Sequence, residues 1–347
     1  MKLPNKLDFP WRITFDTNPD LCNLNCIMCD THSIYNKNRN DIIKRNRIMP
    51  IQTIEKVLKS ASSGVKEIIP STMGEPLLYP YFEDILALVN KYNIKINLTT
   101  NGTFPKLGVE KWGELILPLA SDVKISINGA TQETDESIMR GINFKEHLEN
   151  IKRFIEIRNK VRKKGNNYPT VTFQVTYMEQ NLLELPKLLR LAIELDVDRF
   201  KGHHVWVTWP EIQKESLKRN TNRIKEWNKI VDTLYEIKDS MGSDIKLDNV
   251  YKLSSDSDNV IPDSWVCPFL GREAWIAWDG VFNVCCAPNT LREKFGYFGN
   301  VNNNDLMELW NGEDYNNLIN NWGINPICKK CNMRRPIKEV YGYDCKS

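Results

Sequence analysis

Histidine is scarce in this sequence, 4 of 347 residues, and the charges nearly cancel: 47 Lys and Arg against 44 Asp and Glu leave a formal +3. So small an imbalance supplies no field for gripping a nucleic-acid backbone. No run approaches the ~18 apolar residues of a membrane-spanning helix. The opening MKLPNKLDFPWR lacks the apolar stretch of a secretory signal. The expectation is a cytoplasmic chain that uses neither nucleic acid nor membrane. Gly and Pro, 17 each, are at ordinary usage, so no long flexible linker is expected, and no solenoid repeat or low-complexity tract occurs. A chain this long buries a core without staples. A reducing compartment disfavours a disulfide framework, and the cysteine count, nine, is odd. Metal ligation is the economical reading, and spacing decides it.

A strand-then-helix rhythm fills most of the chain. Short β-branched runs end in polar or Gly-rich turns, and apolar residues at three- and four-residue spacing follow. Strands are expected at Trp11–Thr17, Val65–Pro70, Ile94–Thr100, Val123–Asn128, Thr170–Tyr177 and Val197–Val207. Helices are expected at Ile51–Ser63, Tyr81–Lys91, Phe144–Lys164, Leu183–Leu195 and Arg219–Met241. Strands each followed by a helix imply parallel pairing through right-handed crossovers. The fold class is thus α/β, a partial (β/α)6 TIM-like barrel with its chemistry at the C-terminal strand ends. From about Ser243 the rhythm gives way to short aromatic strands such as Ala274–Trp278, with Trp278-Asp279-Gly280 as a hairpin turn. A core over 1–245 and a small cysteine-bearing domain over 246–347 are expected.

Cys22, Cys26 and Cys29 follow the first strand at C-x3-C-x2-C spacing. Three thiolates this close can grip one small inorganic body. On a cubane cluster they leave one iron without a protein ligand, open for chemistry. A closed zinc site needs a fourth ligand, for which His32 is the nearest candidate. Beyond this loop, Gly74-Glu75-Pro76 ends the second strand, Thr100-Asn101-Gly102 the third, and Ser126-Ile-Asn-Gly-Ala130 the fourth. Together these segments resemble the radical S-adenosylmethionine superfamily. The resemblance implies a [4Fe–4S] cluster on Cys22, Cys26 and Cys29, with S-adenosylmethionine chelating the fourth iron. It implies cofactor contacts from Gly74, Glu75, Pro76, Asn101, Ser126 and Asn128, the last standing where many relatives carry Asp. One electron would then cleave the sulfonium, and the 5′-deoxyadenosyl radical would abstract hydrogen from a C–H bond, the protein orienting and excluding water.

The tail carries Cys267, twelve residues, Gly280, four residues and Cys285, then Cys328-Lys-Lys-Cys331 after a gap. Two pairs of thiolates can close a second metal site, and spacing alone leaves a zinc ribbon open. The order resembles the SPASM region, or its shortened form Twitch. A further SPASM cysteine would fall at Ile337. The resemblance implies one auxiliary [4Fe–4S] cluster on Cys267, Cys285, Cys328 and Cys331, with Cys286 able to replace Cys285. Cys286 is otherwise a small buried residue or a hydrogen-atom donor to a substrate radical, and Cys345 belongs to a frayed terminus.

His203 and His204 at the sixth strand are candidate substrate contacts. The basic stretch Asn36–Arg47 reads as a solvated loop, or as a docking site for an acidic electron donor of flavodoxin or ferredoxin type. A fully ligated auxiliary cluster can take an electron from a substrate radical. Dehydrogenation, epimerisation or decarboxylation of a small polar substrate (sugar, aminocyclitol or nucleoside) is the expectation, because no extra N-terminal domain for a leader peptide precedes the barrel. Modification of a ribosomal peptide, by epimerisation or cross-linking, is the alternative. A non-catalytic zinc module is the third reading.

Overall fold

The computed structural model describes residues 6–163, 168–254, 262–287, 289–331 and 333–341; Cys345 lies outside them. Nine strands form one sheet: β1 (Arg12–Phe15), β2 (Glu67–Ile69), β3 (Lys95–Thr100), β4 (Ala120–Ser126), β5 (Thr170–Tyr177), β6 (Arg199–His204), β7 (Lys246–Asp248), β8 (Glu273–Ile276) and β9 (Phe282–Asn283). The order is β7-β6-β5-β4-β3-β2-β1-β8-β9. All neighbours pair in parallel except β8 with β9. Edge strands β7 and β9 do not meet, so the barrel is partial.

Each of the six expected strands is present, β5 at its expected bounds and the others shortened or shifted at their ends. The expected helices appear as Ile51–Ala61, Phe82–Lys91, Phe144–Arg162, Leu185–Glu194 and Thr221–Ser240. Amphipathic spacing explains them: Ile54, Val57, Leu58 and Ala61 form one buried stripe of the first. The helices Gly108–Ile116 and Gln132–Ile138 were not anticipated, and the basic stretch carries a short helix, Arg39–Arg45, with no buried residue. Two findings concern the tail. β7 extends the parallel sheet past β6, and β8 pairs with β1, aligning Arg12 with Glu273 and Phe15 with Ile276. The cysteine-bearing segment is therefore hydrogen-bonded to the first strand of the barrel. The hairpin forms as expected: Gly280 has φ +87, and the Ala277 amide donates to the Val281 carbonyl at 2.9 Å.

Alternation along the strands separates two faces. Ile13, Phe15, Ile68, Ile96, Leu98, Val123, Ile125, Val171, Phe173, Val175 and Phe200 are buried in the main core under the helices. Their alternates, Arg12, Glu67, Asn97, Asp122, Lys124, Thr172, Gln174, Arg199, Lys201 and His203, face the lumen. His204 takes the helix side, its ring centroid 4.7 Å from that of Trp227 and 5.6 Å from that of Tyr177. Neither of its ring nitrogens has a hydrogen-bond partner among the described residues. Burial, then the charges of Lys218 and His203, push its pKa down to about 3. The unfolded chain holds this proton from about pH 6.5 downward, so stability falls as pH drops below 6.5, by up to about 1.4 kcal/mol per unit. His204→Phe is expected to flatten that slope between pH 7 and pH 5, read from urea midpoints. An unchanged slope would assign the acid sensitivity to other groups.

Candidate active site

The loop after β1 is fastened before any cofactor is considered. The Asn25 amide donates to the Arg140 carbonyl at 2.8 Å, and the Ile27 amide to the Ile138 carbonyl at 3.0 Å. Leu24 and Ile27 join Ile138, Met139, Ile142, Met178, Val205 and Ile212 in a separate apolar cluster against which Cys22 and Cys26 pack. The Trp209 indole donates to the Cys29 carbonyl at 2.9 Å. The three thiols lie within electrostatic reach of one another. Backbone amides point at two of the sulfurs, Leu24 N at Cys22 Sγ (3.5 Å) and His32 N at Cys29 Sγ (3.2 Å). Such donors stabilise coordinated thiolates and tune cluster potential. Burial pushes the Cys22 thiol up to about 12 and raises Cys26 and Cys29 as well. A bound metal must therefore drive their deprotonation. His32 is turned away, its Nε2 on the Pro19 carbonyl at 2.8 Å. Among the described residues no three His, Cys, Asp or Glu side chains close to the spacing of a single ion. The donor set is all thiol, apolar-walled and N–H-capped, which fits an iron–sulfur cluster.

The segments after β2 and β3 are tied to this loop. The Glu75 amide donates to the Leu21 carbonyl at 2.8 Å, and Asn18 Nδ2 donates to the Glu75 carbonyl at 2.8 Å. Gly74, at φ +77, packs directly on the backbone of Asn18 and Leu21. The Glu75 carboxylate is a brace. It accepts from Thr100 Oγ1 (2.7 Å), Asn101 N (2.8 Å) and Leu77 N (3.2 Å). Burial nevertheless raises its pKa to about 7. Pro76 is buried at the start of a short 3-10 turn. Asn101 reaches Cys22 and donates to Asn23 Oδ1 at 2.9 Å. Asn128 Oδ1 accepts from the Thr176 amide at 2.8 Å, and its own amide donates to Asp135 Oδ1 at 2.8 Å. Ser126 is half-buried on the lumen face of β4.

The tail cysteines also gather. Cys267, Cys285, Cys286, Cys328 and Cys331 lie within mutual electrostatic reach. Phe269 N and Leu270 N both donate to Cys267 Sγ at 3.4 Å. This arrangement also fits a cluster. Cys286 keeps company with these cysteines and with Glu273.

Sequence motifs did not disclose the polar floor of the lumen. Arg12 bridges Glu67 (3.0 Å) and Glu273 (2.5 Å). Asn97 Nδ2 donates to Glu67 at 3.0 Å and its oxygen accepts from Lys124. Asp122 lies 3.6 Å from Lys124 and 3.5 Å from Arg199. The signal was available as charged residues at every second position of strands with apolar alternates. Of the histidine pair, the structure brings His203 to this lumen and His204 to the helix layer.

Comparisons agree with this geometry. The profile of the Radical SAM superfamily matches residues 19–192, and that of an iron-sulfur cluster-binding domain, SPASM, matches residues 267–332. The chain belongs to the radical SAM superfamily and is a radical SAM enzyme with a SPASM-type C-terminal domain. The cofactors of that combination are S-adenosylmethionine and two [4Fe–4S] clusters. It is 26% identical over 339 residues, 90% of this chain and 85% of the relative, to the tungsten-containing aldehyde ferredoxin oxidoreductase cofactor-modifying protein of Pyrococcus furiosus. It is 32% identical over 163 residues to the GTP 3′,8-cyclase of Aquifex aeolicus, spanning 46% of this chain and 49% of that one. In fold it resembles Streptococcus suis SuiB bound to S-adenosylmethionine, with TM-score 0.66, 16% identity, and coverage of 94% and 72%. It also resembles anSMEcpe with bound AdoMet, with TM-score 0.64, 18% identity, and coverage of 93% and 83%. No helix among the described residues is long and apolar enough to cross a membrane.

Proposed function

We propose that this enzyme modifies a peptide by hydrogen abstraction at a C–H bond held in the polar lumen. The observation that carries the radical assignment is the bonding of the Gly74–Pro76 segment to the three-cysteine loop. Cys22, Cys26 and Cys29 would hold the first cluster. Gly74, Glu75, Pro76, Asn101, Ser126 and Asn128 would line the S-adenosylmethionine site. Cys267, Cys285, Cys328 and Cys331 would hold the auxiliary cluster, within a Twitch-like unit spanning 246–347 beside a core of 1–245. Bound together, the first cluster and S-adenosylmethionine supply a hydrogen-abstracting 5′-deoxyadenosyl radical. The chain binds, orients and excludes water.

Fold relatives solved with peptides support the substrate class: SuiB with its precursor peptide SuiA, and anSMEcpe with the Cp18Cys peptide. This displaces the small polar substrate expected from the sequence. That substrate remains as the second reading, favoured by the full-length Pyrococcus furiosus relative, whose name describes cofactor modification. Cys286 as hydrogen donor would make the reaction an epimerisation, whereas Cys286 as a ligand would not. The exposed Lys37, Lys44 and Arg45 suit an acidic electron donor of flavodoxin or ferredoxin type.

Anaerobic reconstitution is expected to give about eight iron and eight sulfide per chain. The reduced protein with S-adenosylmethionine should release 5′-deoxyadenosine. Two zinc ions without sulfide, or a reduced protein that leaves S-adenosylmethionine intact, would overturn the reading.

A further inference from the structure

Arg12, Lys124, Arg199 and Lys201 are cations that enter the lumen from the strands. Three are matched. Arg12 holds Glu67 and Glu273, Lys124 lies against Asp122 and Asn97, and Arg199 Nε lies 3.1 Å from Asp248. Lys201 has no hydrogen bond or ion pair among the described residues. Asp248, its cross-strand neighbour on β7, and Asp122 lie within electrostatic reach of it, but Asp248 is paired with Arg199 and Asp122 lies against Lys124 and Arg199. Its stem is half-buried, and burial lowers its pKa.

Register fixes what surrounds it. Ser126, Gln174 and Lys201 pair directly across β4, β5 and β6, forming one row at one height. His203 stands one lumen-facing step above Lys201, toward the C-terminal strand ends where the cluster loop lies. Gln174 Nε2 lies 3.3 Å from His203 Nδ1. Desolvation by the surrounding strands, then the positive charge of Lys201, lowers the His203 pKa. The tautomer in which Nδ1 accepts from Gln174 leaves the ring proton on Nε2 for donation. His203 is solvent-exposed although it belongs to the lumen wall.

A half-buried ammonium with no hydrogen-bonded partner among the described residues, one lumen-facing step from an imidazole, is a donor set for an oxyanion. We infer that Lys201, with His203, forms an oxyanion-binding subsite on the β6 wall of the lumen that anchors a carboxylate or phosphate group of the substrate. The inference rests on the proposed reaction site and names the charge its substrate carries. An acidic side chain of a peptide and a phosphate ester of a small molecule present the same chemistry, and the test separates them.

Reconstituted protein is titrated at constant ionic strength with N-acetylglutamate α-amide, inorganic phosphate and uncharged N-acetylglutamine α-amide, by calorimetry. At least one anion is expected to bind about tenfold or more tighter than the uncharged amide. Lys201→Met should weaken that binding at least tenfold, and Lys201→Arg should hold it within about threefold. Preference for the glutamate derivative marks a peptide substrate; preference for phosphate marks a small phosphorylated one. A second measurement needs no variant. In wild-type protein the binding anion should protect Lys201 from acetic anhydride, read by mass spectrometry, while exposed Lys252 acetylates unchanged. Binding of neither anion, equal binding of the uncharged amide, unaltered binding by Lys201→Met, or unprotected Lys201 would each overturn the inference. Iron content and 5′-deoxyadenosine release, read on the same wild-type preparation, report separately on the radical assignment.

Discussion

Cys26→Ala is expected to abolish 5′-deoxyadenosine release, leaving at most about one hundredth of the wild-type rate. Cys26 is the central thiol of the loop, within reach of both Cys22 and Cys29, and is packed into the Leu24–Ile27–Ile138 cluster. Its removal leaves two thiols and a small apolar hole where the third ligand stood. No other side chain replaces it, because His32 is committed to the Pro19 carbonyl. Cys328→Ala tests the other end. Cys328 belongs to the tail group, near Cys285 and Cys331. Its loss should cost auxiliary iron yet spare a measurable fraction of S-adenosylmethionine cleavage. The contrast separates the roles of two sites joined through the β1–β8 pairing. Cleavage surviving in Cys26→Ala, or lost as completely in Cys328→Ala, would reverse the assignment of the two groups. Iron content of each variant, measured beside product release, distinguishes a missing cluster from an inactive one.

Much of this was legible before any coordinates, and the reason is local. The β5 strand Thr170–Tyr177 appears at its expected bounds because its eight residues are mostly β-branched or aromatic. The three-cysteine loop and the Gly-Glu-Pro segment were legible because close spacing or special backbone geometry leaves a mark in adjacent residues. What escaped depends on register. Arg12, Glu67 and Glu273 meet across three strands far apart in sequence, and nothing near Arg12 names its partners. The same applies to Lys201, which gains its meaning only when β5 and β6 align it with Gln174. His203 and His204 are one residue apart and read alike in a string, yet strand alternation sends them to opposite faces. The Glu75 side chain ties strand ends together through three donors, a bracing that the Gly-Glu-Pro motif does not announce.

Gly74→Ala is expected to be nearly as damaging as loss of a cluster ligand, though it removes no functional group. Gly74 sits at φ +77, and an added Cβ would stand 2.4 Å from the Asn18 carbonyl oxygen and 2.6 Å from that of Leu21. Both obstacles are backbone and cannot swing aside. Making room requires the Gly74–Pro76 segment and the cysteine loop to part by nearly an ångström, straining the Glu75–Leu21 and Asn18–Glu75 hydrogen bonds of 2.8 Å each. Those bonds set the position of the cofactor segment relative to the cysteines, and misplacement on this scale costs about 100-fold in rate. Backbone strain alone is a smaller term, about 1 kcal/mol for alanine in the left-handed region. Gly108 isolates that term, since it has the same φ of +77 and nothing within 4 Å of its would-be Cβ. Gly108→Ala should therefore lower the melting temperature by a few degrees and leave 5′-deoxyadenosine release near wild type. Gly74→Ala should lower release and S-adenosylmethionine affinity together. Equal behaviour of the two variants would show that the contact between segment and loop does not position the cofactor.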